Sequence, residues 1–281
     1  MSEISVVIAT RDRRRELLHT LERLAALDDA PPVIVVDNAS SDGTPDAVRG
    51  AHPAVTVVAL HRNLGAAART IGARRAATPY VAFCDDDSWW APGALERARG
   101  HFARTPWMAL LAGRILVGPE ERLDPTCAAM AESPLPERDD LPGPPILGFL
   151  ACGVVVRRDA FLAAGGFSER LFIGCEESLL ALDLAAAGWS LAYACDVVAH
   201  HHPARGQRPG RDALLVRNAL LVTWLRRPAP VAVAATARAL RQGHAPAVAA
   251  AARALPWVLH ERRVVPAGVE ATARLLERHR V

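Results

Sequence analysis

The sequence predicts an α/β fold in which helices flank a mostly parallel sheet, with a helical extension at the C-terminal end. Three observations lead to this prediction. Short β-branched runs alternate with helical patterns over about the first hundred residues, as in successive βαβ units. Each predicted strand is hydrophobic throughout, as expected where helices cover both faces of a sheet. Beyond residue 210 the chain is rich in alanine, arginine and leucine in a helical pattern, so we expect one domain over 1–210 and a helical extension over 211–281.

The predicted elements follow one another in this order. Strands are expected over 4–10 (ISVVIAT), 32–40 (PVIVVDNAS), 55–61 (VTVVALH) and 80–86 (YVAFCDD), with helices over 14–27 and about 65–77. The segment 119–145 is rich in proline and acidic residues, which predicts a long irregular loop over the sheet. A strand and a short helix are expected within 149–167, a helix within 174–189, and a strand within 191–206.

Composition excludes several classes of protein. The chain has 281 residues, 51% of them hydrophobic, and a net charge of only +3. Its arginines are spread along the chain without interleaved aromatic residues, which argues against nucleic acid as a partner. The five cysteines form no CxxC pair, which indicates reduced thiols in the cytoplasm. No stretch resembles a signal peptide or a membrane span of about 18 apolar residues, so we expect a cytoplasmic protein, soluble or peripheral at the membrane.

Polar residues follow each of the first four predicted strands. They comprise Thr10 to Asp12, Asp37 to Asp42, Arg62 with Asn63, and Asp85 to Asp87. Ligands of open α/β sheets bind beyond the carboxyl ends of the strands, so these residues are candidates for one site. The alternative is that Asn38, Ser40, Asp42 and Gly43 are ordinary turn and cap residues.

The stretch FCDDDSWW places three aspartates side by side at the end of a buried strand. Neighbouring carboxylates resist ionising together unless a cation is present, so Asp85, Asp86 and Asp87 suggest a divalent metal. In a strand, Asp85 and Asp87 would point to the same side and face one cation. The alternative is an exposed loop or a helix N-terminus, where acidic residues are common.

Seven motifs in the first 205 residues resemble those of the family 2 glycosyltransferases, in the order of that family. They are SVVIATRDR, VVDNASSDGT, RNLGAAART, FCDDDSWWAPGAL, GGF, CEESLLALDL and AHHH. The resemblance implies the GT-A fold, a Rossmann-like sheet that binds nucleotide sugars, as the catalytic domain over 1–210. It also implies a metal-dependent, inverting, rhamnosyltransferase-like enzyme. Such an enzyme moves a hexosyl or deoxyhexosyl group from a UDP- or dTDP-linked sugar to a hydroxyl acceptor.

The resemblance assigns donor-binding roles to several residues. It implies that Thr10 and Asp12 line the nucleotide pocket and that Asp37 holds the base or ribose. It also places Asn63 and Arg69 near the nucleotide, although a capping turn is an alternative role for Asn63. The family usually has asparagine after the arginine, whereas this chain has Thr70.

The resemblance also assigns the metal site. Asp85 and Asp87 match the two ends of the DxD motif, and Asp86, the residue between them, is expected to contact the donor. His201 completes the metal site, with His200 as the alternative ligand. Carboxylate oxygens suit Mg²⁺ or Mn²⁺, and an imidazole favours Mn²⁺. Three histidines in a solvated loop are the alternative interpretation.

An acidic pair in the CEESL motif matches the catalytic pair of the family, and it implies Glu177 as the general base with Glu176 orienting it. The family usually has Glu then Asp here, so the second residue departs from the pattern. Two glutamates in a first helical turn are also common for structural reasons. Trp89, Trp90 and Trp189 are predicted either as walls that stack on sugar or as core residues. Cys152 and Gly153 match small residues of the donor-sugar pocket.

The helical extension has three possible roles: packing on the first domain, forming a homodimer, or resting on an anionic membrane. Two other functions compete with sugar transfer. A nucleotidyltransferase would normally carry a glycine-rich loop after the first strand, and ATRDRRRE has no glycine. A noncatalytic nucleotide-sugar-binding module would not need Asp85, Asp87 and Glu177 together.

Overall fold

The computed structural model of the chain describes residues 2–203 and 210–279. The end of the strand predicted within 191–206 lies outside the described residues, as does the segment directly before the predicted domain boundary. The described part contains nine strands. They are β1 (Ile4–Thr10), β2 (Val33–Asp37), β3 (Thr56–Ala59), β4 (Tyr80–Cys84), β5 (Ser88–Trp90), β6 (Met108–Val117), β7 (Arg122–Leu123), β8 (Val154–Arg157) and β9 (Ser190–His201).

Twelve α-helices lie in the described residues, together with short 3₁₀ turns at Gly65–Ala67 and Ala151–Gly153. The helices are α1 (Arg14–Ala25), α2 (Thr44–Ala51), α3 (Ala68–Arg75), α4 (Ala94–Arg104), α5 (Pro125–Ala131), α6 (Arg158–Ala163), α7 (Glu176–Ala186), α8 (Arg211–Arg226), α9 (Ala229–Arg241), α10 (Ala245–Ala252), α11 (Leu255–Glu261) and α12 (Ala267–His279). No helix in this part of the chain is both long and apolar enough to cross a membrane.

The strands form one sheet in the order β3-β2-β1-β4-β8-β6-β9-β5, with β7 paired to β6. The first four positions, β3 to β4, are parallel, which confirms the βαβ prediction. The other half is mixed, because β8 and β5 run antiparallel to their neighbours while β6 and β9 are parallel. The β-branched strand β1 is almost fully buried, since helices cover both of its faces.

Two predicted features of the chain differ from the structure. The segment 119–145 is not an irregular loop throughout, because it contains β7 and α5. Pro125 at the first turn of α5 and Asp124 as its N-cap explain this helix, since the Asp124 carboxylate accepts from the Thr126 N–H at 2.7 Å. The short strand β5 was not predicted; Trp89 and Trp90 lie on it, 9% and 0% exposed, so both are core residues.

The C-terminal helices share a hydrophobic core with α7. Leu179 and Leu182 of α7 pack with Leu221 and Leu225 of α8 and with Trp257 of α11. A bidentate ion pair between Arg226 of α8 and Asp183 of α7 joins these two helices, with Arg226 Nη2 and Asp183 Oδ2 3.0 Å apart. The extension therefore packs on α7, while its division from the rest of the chain as a separate domain stays a prediction.

Two loops near the ends of the strands meet at Gly65. The Ala66 N–H donates to the Phe172 carbonyl at 2.7 Å. Gly65 has a φ of +60°, and a Cβ added there would lie 2.0 Å from the Phe172 carbonyl oxygen. A side chain would therefore be strained by the backbone conformation and would also collide with the neighbouring loop.

We expect Gly65→Ala to destabilise the protein by about 2 kcal/mol or more beyond the cost of the left-handed conformation itself. Gly188→Ala is the matched control, because Gly188 has a φ of +86° and nothing within 4 Å of an added Cβ. Urea unfolding of both variants measures the difference. Equal losses of unfolding free energy would show that the contact between the two loops does not constrain the fold.

Candidate active site

Polar residues lie where three neighbouring strands end. The strand β1 lies between β2 and β4, and all three run parallel. Thr10 and Asp37 are the last residues of β1 and β2, and Asp85 directly follows β4. Thr10 pairs with Asp37 in register, and its hydroxyl donates to Asp86 Oδ2 at 2.9 Å. The sheet thus brings these predicted residues to one edge.

Asp85, Asp86 and Asp87 lie in a turn between β4 and β5. The Asp85 N–H donates to the Ser88 hydroxyl at 2.7 Å, and the Ser88 N–H donates to the Asp85 carbonyl at 3.2 Å. These residues lie beyond the strand, so strand alternation does not apply to them, and the turn sets the directions of Asp85 and Asp87 instead.

Two arginines face this turn and offset its negative charge. Arg13, just before α1, places Nη2 2.6 Å from Asp87 Oδ2 and Nε 3.3 Å from Asp86 Oδ1. Arg69 on α3 donates to Asp85 Oδ1. The two arginine side chains are only 19% and 11% exposed, so solvent screens these attractions weakly. A bound cation alone was predicted to compensate this charge, whereas in the structure two arginines take part in the compensation.

Asp86 is held by contacts within the protein. Its carboxylate accepts from the Thr10 hydroxyl and its carbonyl accepts from the Thr20 hydroxyl, each at 2.9 Å. Burial, opposed by Arg13 and assisted by the charge of Asp87, raises the pKa of Asp86 to about 7. These contacts tie the turn to β1 and α1. The contact of Asp86 with a nucleotide sugar stays a prediction.

Asp85, Cys152 and His201 form a cluster of potential metal ligands. One ligand atom of each residue lies within 4.8 Å of the others. His201 Nε2 is also 3.3 Å from Asp87 Oδ1, and His201 Nδ1 is 3.9 Å from the Cys152 sulfur. Strand pairing explains this arrangement, because antiparallel β5 and β9 place Ser88 opposite His201. The structure therefore brings the three predicted ligands Asp85, Asp87 and His201 together.

The two neighbouring histidines face away from this cluster. His200 Nδ1 lies 3.3 Å from Glu121 Oε1, and the His200 ring stacks on Trp89. The His202 ring also contacts Trp89, with centroids 4.7 Å apart. Successive residues of a strand point to opposite faces, so His201 is the one that reaches Asp87. The structure does not bring His200, the alternative ligand, to the carboxylates.

The donor atoms of the cluster fit a hard divalent cation. Burial opposes a charge on His201, but the hydrogen bond to Asp87 and the charges of Asp85 and Asp87 outweigh it and raise the pKa of His201. Arg13 and Arg69 offset part of the negative charge here, and carboxylate oxygens with an imidazole are ligands of the types that suit Mn²⁺ or Mg²⁺. Burial raises the pKa of Cys152 well above its usual range, so its thiol stays protonated and is a weak ligand.

The predicted acidic pair begins α7. Glu176 is 3% exposed, and its Oε2 has no hydrogen-bond partner among the residues that the structure describes. Glu177 is half-buried. Burial, together with the charge of Glu176, raises the pKa of Glu177 to about 7. Burial also raises the pKa of Glu176.

Arg69 links the acidic pair to the aspartate turn. Burial works against its charge, but Asp85, Glu176 and Glu177 outweigh this and raise the pKa of Arg69. Arg69 in turn lowers the pKa of both glutamates. The start of α7 and the end of β4 therefore act on each other electrostatically through one buried guanidinium. Thr70, the departure from the family pattern, serves packing, because its hydroxyl accepts from the Phe167 N–H at 2.9 Å.

The remaining predicted donor residues shape the surrounding loops. The Asp12 carboxylate accepts from the Ser41 N–H at 2.7 Å, and this bond lowers the pKa of Asp12. Asp37 is 2% exposed; its Oδ2 accepts from the Ser40 N–H at 3.0 Å, whereas its Oδ1 has no partner in the described part of the chain.

Asn63 closes the turn that precedes the 3₁₀ turn at Gly65–Ala67, although it is not itself the cap residue. Its Oδ1 accepts from the Gly65 N–H at 2.8 Å. Asn38, treated in the sequence as a turn residue, supports the same loop from inside. It is 5% exposed, accepts from the Leu64 N–H at 3.0 Å and donates to the Gly65 carbonyl at 3.2 Å. Direct contact of Asn63 with the nucleotide stays a prediction.

A buried asparagine of α8 holds the loop that precedes α7. Asn218 is fully buried, and its Nδ2 lies 2.8 Å from the Leu171 carbonyl, 3.0 Å from that of Ile173 and 2.8 Å from that of Gly174. The loop ends at Cys175, whose left-handed φ of 66° precedes the acidic pair. The extension therefore fixes the backbone that leads into Glu176 and Glu177.

Comparison with known proteins decides the family of this chain. The model of the family described as "Glycosyl transferase family 2" matches residues 5–163, which is more than half of the chain. The chain belongs to glycosyl transferase family 2. It is therefore a glycosyltransferase, and the two competing functions, nucleotidyl transfer and noncatalytic binding, are set aside.

Named relatives and solved structures agree with this family 2 assignment. The N-acetylglucosaminyl-diphospho-decaprenol L-rhamnosyltransferase of Mycobacterium tuberculosis (strain ATCC 25618 / H37Rv) is 28% identical over 243 residues, covering 74% of this chain and 78% of that protein. The pre-mycofactocin glycosyltransferase of the same strain is 33% identical over 207 residues, covering 71% of this chain and 43% of that protein.

Solved glycosyltransferases share the fold of this family 2 member. The mannosyltransferase PcManGT from Pyrobaculum calidifontis, in complex with GDP-Man and Mn²⁺, superposes with a TM-score of 0.62 at 20% identity. The match covers 98% of this chain and 85% of that one. S. aureus TarS 1–349 in complex with UDP-GlcNAc gives a TM-score of 0.61 at 18% identity, and the match covers 78% of this chain and 66% of that one. The predicted GT-A fold is confirmed.

Three contributors to the site of this family 2 enzyme were not identified from the sequence. Arg13 is one of four arginines in ATRDRRRE, and the sequence does not distinguish the one that turns inward. Cys152 was named as a small pocket residue and not as a neighbour of the metal ligands. Asn218 follows Arg217 in the helical extension, and the sequence around it assigns it no role.

We expect Asn218→Asp to destabilise the protein by about 1–3 kcal/mol, because a carboxylate cannot donate to the three carbonyls and repels them. Asn63→Asp is the matched control, since it keeps the oxygen that accepts from the Gly65 N–H. Urea unfolding measures both. If the two variants were equally stable, the contacts of Asn218 would not hold the loop before α7.

Proposed function

We propose that this enzyme is a metal-dependent, inverting glycosyltransferase that moves a sugar from a nucleoside-diphosphate sugar to a hydroxyl acceptor. One observation carries this proposal. His201 lies near both Asp85 and Asp87, and buried Arg69, which donates to Asp85, is also acted on by the charges of Glu176 and Glu177 at the start of α7. A site for a diphosphate and its cation is thus next to a carboxylate that can accept a proton.

The donor would occupy the carboxyl edge of the sheet. Thr10, Asp12, Asp37, Asn63, Arg69, Asp85 and Asp86 are the proposed donor-binding residues. Two features support this: the unpartnered, buried Asp37 Oδ1 is an acceptor available to a ribose or base, and Arg13 and Arg69 can attract phosphate oxygens. Structural neighbours bind GDP-Man or UDP-GlcNAc, and one relative is named a rhamnosyltransferase. We propose a UDP- or dTDP-linked hexose or deoxyhexose as the donor.

Asp85, Asp87 and His201 would hold Mn²⁺ or Mg²⁺. The mannosyltransferase neighbour carries Mn²⁺ together with its nucleotide sugar, which supports this choice. When bound, the ion supplies Lewis-acid stabilisation of the negative charge on the departing nucleoside diphosphate. The carboxylates and imidazole would position the diphosphate, and Arg13 would keep the Asp87 side chain in place through its ion pair.

Glu177 is the proposed general base. As the acceptor oxygen attacks the anomeric carbon, the bond from that carbon to the diphosphate breaks, and the acceptor proton passes to the Glu177 carboxylate. A single displacement inverts the anomeric configuration. Glu176, almost fully buried beside it, would orient Glu177 and sustain its basicity.

Location and assembly remain predictions. Residues 211–281 contain 12 arginines and 4 acidic residues, although the whole chain has a net charge of only +3. Several apolar side chains of this region are exposed, among them Val233 at 69% and Leu259 at 73%. This combination supports peripheral contact of a cytoplasmic protein with an anionic membrane. A homodimer through the extension is a further proposal.

We expect His201→Gln to weaken Mn²⁺ binding about 100-fold or more in the presence of a nucleoside diphosphate, because it removes a ligand. His200→Gln is the matched control, since His200 faces Glu121 and Trp89. Isothermal titration with Mn²⁺, UDP and dTDP measures both. Equal affinities in the two variants would exclude His201 as a ligand, and a protein that binds no nucleoside diphosphate at millimolar concentration would overturn the proposed function.

We expect kcat/KM for transfer to rise with pH through a limb centred near 7, because Glu177 must lose its proton to act as base. Glu177→Gln should lower kcat about 10²- to 10⁴-fold and abolish this limb. Glu176→Gln should shift the limb to lower pH, because it removes a negative charge that raises the pKa of Glu177. A limb that stayed in place in Glu176→Gln, or that survived in Glu177→Gln, would assign the base to another residue.

A further inference from the structure

A large cavity lies among the C-terminal helices, away from the aspartate turn. Its volume is about 970 Å³, within the range of small-molecule sites. Helices α8, α9 and α12 provide most of its wall. The apolar lining residues are Val216, Ala219, Leu220, Pro230, Val231, Ala234, Ala235 and Ala239. Its interior thus suits a hydrocarbon chain.

The polar part of the same wall is mainly cationic. Arg238 of α9 and Arg274 and Arg278 of α12 line the cavity with His244. Within the described residues, no acidic side chain forms an ion pair with Arg238 or Arg278, whereas Arg274 Nε lies 2.6 Å from Glu270 Oε1. An apolar wall with arginines beside it is complementary to an amphiphile that carries an anionic group.

A second cavity of about 280 Å³ adjoins the first near the start of α7. The two share the wall residues Ala219, Thr223, Arg227 and Glu277. The second cavity is lined by Leu147, Leu182, Val222 and Leu276 and reaches Cys175 and Ser178. Those two residues flank Glu176 and Glu177 in the chain, so the second cavity lies between the large cavity and the start of α7, with the Arg227–Glu277 ion pair at the boundary of the two cavities.

We propose that the large cavity binds the hydrocarbon chain of a phosphate-bearing amphiphile, which presents its acceptor hydroxyl to the active site. The hydrocarbon chain lies against the apolar wall of α8 and α9. The phosphate pairs with the arginines of the cavity, chiefly with Arg238. The second cavity reaches Cys175 and Ser178, which flank the acidic pair in the chain. This inference deepens the proposed function and rests on it, because it takes Glu177 as the base for the acceptor hydroxyl.

Farnesyl phosphate and farnesol are suitable probes, because they share one hydrocarbon chain and differ in the phosphate. Binding is measured by isothermal titration to the full chain, below the concentration at which the probes form micelles. We expect farnesyl phosphate to bind, and Arg238→Gln to weaken it about tenfold while farnesol is unaffected. Arg241→Gln is the matched control, since Arg241 is on the same helix but does not line the cavity.

Filling the large cavity with a bulky side chain tests whether the hydrocarbon chain of the amphiphile binds there. Ala235→Trp should weaken both probes about tenfold or more, because it excludes methylene groups from the apolar wall. Val233→Trp, on the exposed side of α9, should change binding less than about twofold. Circular dichroism checks the fold of each variant, and Ala234→Leu, a smaller filling of the same wall, replaces Ala235→Trp if that variant does not fold.

The outcomes separate this inference from the proposed function. UDP or dTDP with Mn²⁺ is titrated into the same protein. If the nucleotide binds and farnesyl phosphate does not, the cavity inference is overturned and the proposed function stands. Equal losses of probe affinity in Ala235→Trp and Val233→Trp, or in Arg238→Gln and Arg241→Gln, would also overturn the cavity inference. Losses of affinity confined to Ala235→Trp and Arg238→Gln would support it.

Discussion

The site depends on compensating the charge of three consecutive carboxylates at the end of β4. Their partners come from separate parts of the fold: Arg13 before α1, Arg69 on α3 and His201 at the end of β9. A buried carboxylate without such partners would take up a proton, and the raised pKa of Asp86 shows how strong burial is here. The charge balance therefore requires that β1, β4, α3 and β9 be assembled before the turn is stable in ionised form.

The same region keeps buried polar atoms without partners. Asp37 Oδ1, Arg69 Nε and Glu176 Oε2 are buried and have no hydrogen-bond partner among the described residues. Such atoms are uncommon in folded proteins and lower stability by about 1–3 kcal/mol each. Other unpartnered buried atoms, such as Arg157 Nη2 and Trp257 Nε1, lie elsewhere, but the three around the proposed site are carried by charged side chains, as expected where a protein is arranged for a polar ligand and not for maximal stability.

Local patterns were enough to predict much of the fold, but not the contacts that complete the site. The hydrophobic runs of β1 to β4 and the amphipathic pattern of α1 are local, so their bounds were predicted within a few residues. The three-residue β5 exists only because it pairs with β9, and no local signal marks it. Asp87 and His201 were found through motifs, whereas Arg13 and Cys152 join them only through tertiary contacts.

The position of α7 explains why the extension matters to the site. Leu180 and Leu184 pack into the core around the sheet, while Leu179 and Leu182 pack into the core shared with the C-terminal helices. A helix that is buried on both sides cannot shift without disturbing both cores. Asn218 adds a polar restraint on the loop just before it. Because Glu176 and Glu177 begin this helix, the extension helps to set the position of the proposed base relative to the aspartate turn.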